Sequence, residues 1–182
     1  FPAGNPVMVS PVDIAVAENG DRIYVTDSKK GVVFVFRNQG KTFEGAFGAD
    51  LFRRPTGIAV NPVTNELVVV DTLQSCVLRF NLADLTFLGK FGLRGEGDGE
   101  FHYPTHIAVT PSGGLVVTDA LNFQVQVFSP EGIYANRFGT MGRAPGTFSR
   151  PKGVAVDSDG NIYVVDALFD NVQMFDPAGR LL

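Results

Sequence analysis

Apolar and polar residues alternate along this chain in short runs, and the runs return in a fixed order. A segment of the form Pro-x-x-[Ile/Val]-Ala-Val starts at Pro11, Pro55, Pro104 and Pro151, at separations of 44, 49 and 47 residues. Each is followed by a mostly apolar run closing on Asp, at 23–27, 67–71, 115–119 and 162–166. Each Asp is followed six residues later by the Val of a Val-x-x-Phe segment, at 33–36, 77–80, 125–128 and 172–175. A constant internal spacing inside a variable period describes one structural unit joined by loops of different length.

Within a period the alternation has period two, which predicts strands. In the first unit residues 14–16, 22–26, 32–36 and 42–47 form four of them. Turn-forming residues fill the gaps. Asn19-Gly20-Asp21, 62–65, 111–114 and 157–160 separate the first two strands, and 130–132 and 177–179 separate the third and fourth. Four short antiparallel strands every 44 to 49 residues predict an all-β fold, a β-propeller of four-stranded antiparallel blades. Pro at the head of the first strand lacks a ladder donor and belongs at a strand start. Ala15, Ala59, Ala108 and Ala155 suit the crowded innermost strand. Phe36, Phe80, Phe128 and Phe175 are expected to fill the space between blades, which accounts for much of the chain's 16 Phe without a cofactor. The blades are placed at 11–47, 55–91, 104–138 and 151–182, the last without most of its outer strand.

The run from Phe148 to Asp166, followed by Asn171-Val-Gln-Met-Phe175, resembles an NHL repeat, and the resemblance covers four copies. That family usually carries Arg or Lys just before the Val of strand three and Asn or His in the preceding loop. Here Val32, Cys76, Gln124 and Asn171 take the first position, and only Asn122 keeps the loop amide. The resemblance implies a six-bladed ring, of which this chain supplies about four blades. Phe1 aligns with the end of a fourth strand, and 180–182 with the start of another. An open arc would expose the apolar flanks of its outer blades, to be covered by further blades or another subunit. The rival arrangement is a closed ring of four.

A chain of 182 residues with 45% apolar content is enough for a single domain with a substantial core. The net charge of −4 and pI near 5.1 argue against a nucleic-acid partner, because such binding rests on neutralising phosphates. No run approaches the roughly 18–20 apolar residues of a membrane-spanning helix. Cys76 is alone, which excludes an internal disulfide and cysteine-based metal sites. The compartment is left open, with a start other than Met tilting toward an extracytoplasmic (periplasmic or secreted) location.

The candidate site is the face bearing the lead-ins to each first strand and the turns between strands two and three, which the family resemblance marks as the binding face. Leu73, Leu121 and Leu168, with Phe123 and Phe169 beside them, and His106 and Arg150 at the lead-ins, predict a protein-docking surface. The opposing expectation is that each Leu folds over its own blade. Asp27, Asp71, Asp119 and Asp166 recur once per unit, as turn-capping carboxylates do and catalytic ones need not. His102 and His106, near Glu100 and Tyr103, are the only histidines. His106 is equivalent to Asp13, Gly57 and Gly153, near the mouth of the central channel. Peptidyl-hydroxyglycine lyases and lactonases of similar architecture bind a divalent metal there, but an open zinc site needs about three protein ligands. Gly92, Gly95, Gly97 and Gly99 lack the strand–helix context of a nucleotide loop and read as loop flexibility. Residues 157–161 lack a calcium loop's distal Glu and read as a hairpin turn. Cys76, without a nearby His or basic cluster, reads as unreactive. The chain is therefore expected to be a non-catalytic scaffold without metal or cofactor, binding a protein alone or within a larger complex. The alternative is a fragment of a metal-dependent propeller lyase or lactonase.

Overall fold

The computed structural model describes residues 6–17 and 20–182. Among them there is no α-helix, and the strands form sheets whose spatial order follows the sequence. The first sheet is β1 (Pro11–Ala17), β2 (Arg22–Asp27), β3 (Val32–Arg37) and β4 (Thr42–Phe47). The second is β5 (Pro55–Asn61), β6 (Glu66–Asp71), β7 (Cys76–Asn81) and β8 (Phe87–Phe91). Two short strands follow, β9 (Leu93–Arg94) and β10 (Glu100–Phe101), paired in parallel. The third sheet is β11 (Pro104–Val109), β12 (Leu115–Asp119), β13 (Gln124–Phe128) and β14 (Tyr134–Phe138). The fourth is β15 (Pro151–Val156), β16 (Ile162–Asp166) and β17 (Asn171–Phe175), with a bridge from Phe175 to Leu181 where a fourth strand begins. The chain is an all-β propeller of antiparallel blades.

Every blade repeats one register. The head Pro pairs with the terminal Asp (Pro11 with Asp27, Pro55 with Asp71, Pro104 with Asp119, Pro151 with Asp166), and the ladder shifts before the following Ile or Val. That irregularity was not visible in the sequence. It frees the residues after Pro to face the axis. The first strands β1, β5, β11 and β15 lie side by side in that order, so the sheets fan round a common axis.

Three apolar clusters fill the gaps between successive blades. At the centre of each is an aromatic triad built from two blades and the connection between them. Phe47 of β4, Phe52 of the connection and Phe80 of β7 have ring centroids 5.2 to 6.1 Å apart. Phe101 and Phe91 reach Phe128 at 5.6 and 4.8 Å, and Phe148 and Phe138 reach Phe175 at 5.7 and 4.6 Å. A Cβ on Gly48, Gly92 or Gly139 would collide with Phe52, Phe101 or Phe148 respectively. The Phe-Gly at each strand end thus leaves room for the next connection's ring. Phe80, Phe128 and Phe175 stand between blades as expected, whereas Phe36, though buried, packs on Phe43 of its own blade and lies outside the three clusters.

One expectation is overturned. Gly95, Gly97 and Gly99 sit in an ordered turn between β9 and β10. Gly97 N–H donates to Glu100 Oε2 at 3.0 Å and Gly99 N–H to Gln126 Oε1 at 3.0 Å. A Cβ on Gly95 would strike the Glu100 carboxylate and displace it from its bond to the Gly97 N–H. The alignment proposed for Phe1 lies outside the described residues.

No packing comparable to that between neighbouring first strands joins β15 to β1. The consequence shows in equivalent positions. Ile14 is 57% exposed where Ile58 is 3%, and Val172 is 61% exposed where Val125 is fully buried. The two outer flanks therefore present apolar surface that interior blades bury. A polypeptide of these 182 residues is expected to self-associate through those flanks. Ile14→Asp with Val172→Asp should shift its sedimentation toward monomer, and a monomeric parent would contradict the reading. Phe101→Ala is expected to cost about 3–5 kcal/mol in denaturant unfolding, since it empties the centre of an interblade cluster.

Candidate functional site

The lead-ins and turns of the loop face are held by the four recurring carboxylates, all fully buried. Asp27 Oδ2 accepts the Val9 and Ser10 N–H groups at 2.6 and 3.2 Å, and Oδ1 accepts those of Lys29 and Lys30 at 3.1 and 2.9 Å. Asp71 accepts the Arg53 N–H at 2.6 Å and the Gln74 N–H at 3.0 Å. Asp166 accepts those of Ser149 and Leu168 at 2.6 and 3.0 Å. One carboxylate thus ties the turn after strand two to the segment entering strand one. The expected turn cap is present, and the bond to the lead-in adds to it. Both loops of each blade become parts of one rigid unit.

Nearer the axis, threonine hydroxyls join blades. Thr26 Oγ1 donates to the Thr56 carbonyl at 2.6 Å, and Thr72 Oγ1 to the Pro104 carbonyl at 2.7 Å. The equivalent positions two residues after each strand-one Pro alternate large and small: Asp13, Gly57, His106, Gly153. Asp13 Oδ2 accepts the Ile58 N–H at 3.0 Å. A Cβ on Gly57 would lie 2.6 Å from the His106 Cα. His106 is half-buried, and its Nδ1 is buried without a protein partner. Burial lowers its pKa, with Lys152 acting in the same direction and Asp13 against. Glu100 is turned away into the glycine turn, and His102 contributes its N–H to Asp119 at 2.9 Å. The described residues hold no group of three or more His, Cys, Asp or Glu arranged for a metal ion.

The three leucines project outward, with Leu73 59%, Leu121 48% and Leu168 61% exposed. They stand at the same place in successive blades, two residues after the capping Asp, where the first blade has Lys29. Phe123, held at a φ of 55°, turns inward and packs on the third cluster, so it supports the face from below. Phe169 is half-buried and lines a groove of about 500 Å³ beside Arg143, Pro145 and Val172 on the open flank of the last blade. Arg150 is exposed, with its main-chain N–H on Asp166 at 3.0 Å. Arg54, not singled out by the sequence, lies with its guanidinium 5.7 Å from the Tyr103 ring centroid. Its repeat position matches that of Arg150, one residue before the strand-one Pro.

The profile of a family described as 6-bladed β-propeller matches residues 10–93 and again 93–179. The chain belongs to this 6-bladed β-propeller family. It is 36% identical over 52 residues to E3 ubiquitin-protein ligase TRIM32 of Homo sapiens, covering 29% of this chain and 8% of that one. It is 33% identical over 92 residues to Protein brain tumor of Drosophila melanogaster, covering 48% and 9%. Among solved structures, a streptogramin B lyase superposes with a TM-score of 0.74 at 14% identity over 95% of this chain and 53% of that chain. A nidogen/laminin complex does so at 0.73 and 19% identity, over 96% and 63%. At these identities the structural likeness shows the fold. The chain spans less than a tenth of either curated relative and about half of the lyase chain.

Within this propeller the four caps are not electrostatically equal. Burial pushes the Asp27 carboxyl up, but the N–H groups of Val9, Lys30, Ser10 and Lys29 outweigh it and hold the group below its ordinary value. Asp119 receives one main-chain N–H, from His102, and otherwise side-chain amides of Asn122 and Gln126. Burial wins, and its pKa rises to about 6. Cys76 is buried and its thiol is pushed up to about 11, chiefly by that burial, so it is a poor nucleophile at neutral pH. In the turn at 157–161, Asp157 accepts N–H bonds from Asp159 and Asn161 at 3.0 and 2.8 Å, as a hairpin cap does.

A carboxyl whose folded pKa is raised binds protons more tightly when folded, so its contribution to stability falls as pH rises from about 4 to about 6 and is constant above. Asp27 has the opposite sign, with stability present above the unfolded value and lost as pH falls through its depressed folded pKa. Comparison of the wild type with Asp119→Asn should therefore show the wild type losing relative stability between pH 4 and 6, by up to about 3 kcal/mol. A difference in unfolding free energy that stays flat across that window would refute the assignment.

Proposed function

We propose that this chain is a non-catalytic propeller scaffold of NHL type that binds another protein through its loop face. The observation that carries this reading is the outward projection of Leu73, Leu121 and Leu168 from equivalent, carboxylate-locked turns. Each locked turn limits the ordering cost of binding, because blades hold loops from distant sequence positions at fixed separations. Apolar side chains on a rigid frame with polar neighbours are the make-up of an interface core. His106 and Arg150 border the leucines at the lead-ins, Phe169 extends the surface toward the last blade, and Phe123 braces it. The family relationship supports the frame. The nidogen/laminin complex supports the use of such a frame between proteins.

Leu121→Ser and Leu168→Ser separate docking from packing. The expected result is loss of a co-purifying protein partner, with the thermal midpoint within about 2 °C of wild type, since exposed side chains contribute little to folding. A large drop in stability from either substitution would instead make these leucines part of the fold.

A further inference from the structure

We infer that the partner of this face is an acidic protein segment that also carries apolar side chains, an inference resting on the docking role proposed above. Although the chain as a whole is acidic, the five residues around each strand-one Pro are not. The stretches 9–13, 53–57, 102–106 and 149–153 contain Arg53, Arg54, Arg150 and Lys152, two histidines, and a single carboxylate, Asp13. That carboxylate is occupied by the N–H groups of Ile58 and Ile14, at 3.0 and 2.9 Å. Lys29 and Lys30 add two cations in the first turn.

These cations are exposed and, like Lys41, Lys90, Arg94 and Arg143, they stand outside the described ion pairs. The described ion pairs engage Arg22, Arg37, Arg79, Arg137 and Arg180 with Glu44, Asp21, Glu66, Asp98 and Asp176. None of them engages Lys29, Lys30, Arg53, Arg54, Arg150 or Lys152. Asp50, Glu96 and Asp170 lie in loops of the same face, and they too enter none of these pairs. The N–H groups of Arg53, Arg54 and Arg150 serve Asp71 and Asp166, while among the side chains Arg54 lies over the Tyr103 ring and Lys30 over Phe34, neither engaging a carboxylate in the described ion pairs. The guanidinium groups remain available to carboxylates from outside.

The placement of charge and apolar groups narrows the class of partner. The leucines occur at one per blade in the strand two–three turns of the last three blades, and cations cluster at the lead-ins. A ligand matching both rows needs carboxylates interspersed with apolar side chains. A nucleic acid offers no apolar side chains for Leu73 and Leu121, and the chain's net charge of −4 opposes a polyanion with charge at every phosphate. A purely acidic peptide would leave the leucines uncovered.

Panning a random 12-residue peptide library over the immobilised protein tests the inference. The expected pool is enriched in Asp and Glu together with Leu, Ile or Phe. Its binding should weaken about tenfold or more in Arg54→Glu with Arg150→Glu, with a similar loss in Leu121→Ser, at unchanged melting temperature. A pool without acidic enrichment whose binding still depends on Leu121 overturns the acidic partner and leaves protein docking standing. A pool indifferent to Leu121→Ser overturns both readings. A random-sequence single-stranded RNA that binds more tightly than the pool, is lost on arginine reversal and ignores Leu121→Ser overturns the inference in favour of nucleic acid.

Discussion

The meeting of three phenylalanine rings between successive blades is the contact on which the rest of the molecule depends. Each ring comes from a different part of the chain: the outer strand of one blade, the connection, and the third strand of the next. A four-stranded sheet with two apolar faces has no stable existence alone in water. The triads join such sheets face to face around the axis, and in doing so they pin each connection against its blade. Because the connection passes directly into the next first strand, the lead-in that shapes the loop face is fixed from beneath by the core.

The second constraint is electrostatic and sits above the first. A buried carboxylate is costly unless its oxygens are bonded; main-chain N–H groups from two loops bond Asp27, Asp71 and Asp166, and one N–H with side-chain amides bonds Asp119. The same four aspartates that invite a catalytic reading are thus occupied in holding loops, while the leucines and arginines on those loops have no comparable task inside the fold. This division between groups turned inward and groups turned outward gives the face its chemical character.

Much of this was legible in the sequence, because the determinants are local and repeated. Pro, the apolar run ending in Asp, and Val-x-x-Phe mark strand starts and ends that the structure reproduces in all four units. The aspartate caps were legible for the same reason, although their second partner, the lead-in, was not. The connection rings were overlooked because connection lengths differ, yet a signal was present. Phe52, Phe101 and Phe148 each stand three residues before the strand-one Pro. The order in the Gly95–Gly99 turn was also missed, since it depends on Glu100 and Gln126 contacts that no spacing rule announces. The difference between Asp27 and Asp119 is invisible in a repeat alignment, because it arises from how many main-chain N–H groups each turn aims at its carboxylate.

The alternation of Asp13, Gly57, His106 and Gly153 around the axis has a consequence for the repeats as units. At Gly57 an added Cβ would meet the backbone of β11, at the His106 Cα and the Thr105 carbonyl, whereas at Gly153 it would only touch Val165 of its own blade at 3.5 Å. Modules that look interchangeable from their shared motif are therefore not all seated alike at the hub, and the second is the one keyed to its neighbour. Putting a copy of the first or third unit in the second unit's place would set a Cβ against that backbone even though every sheet were intact.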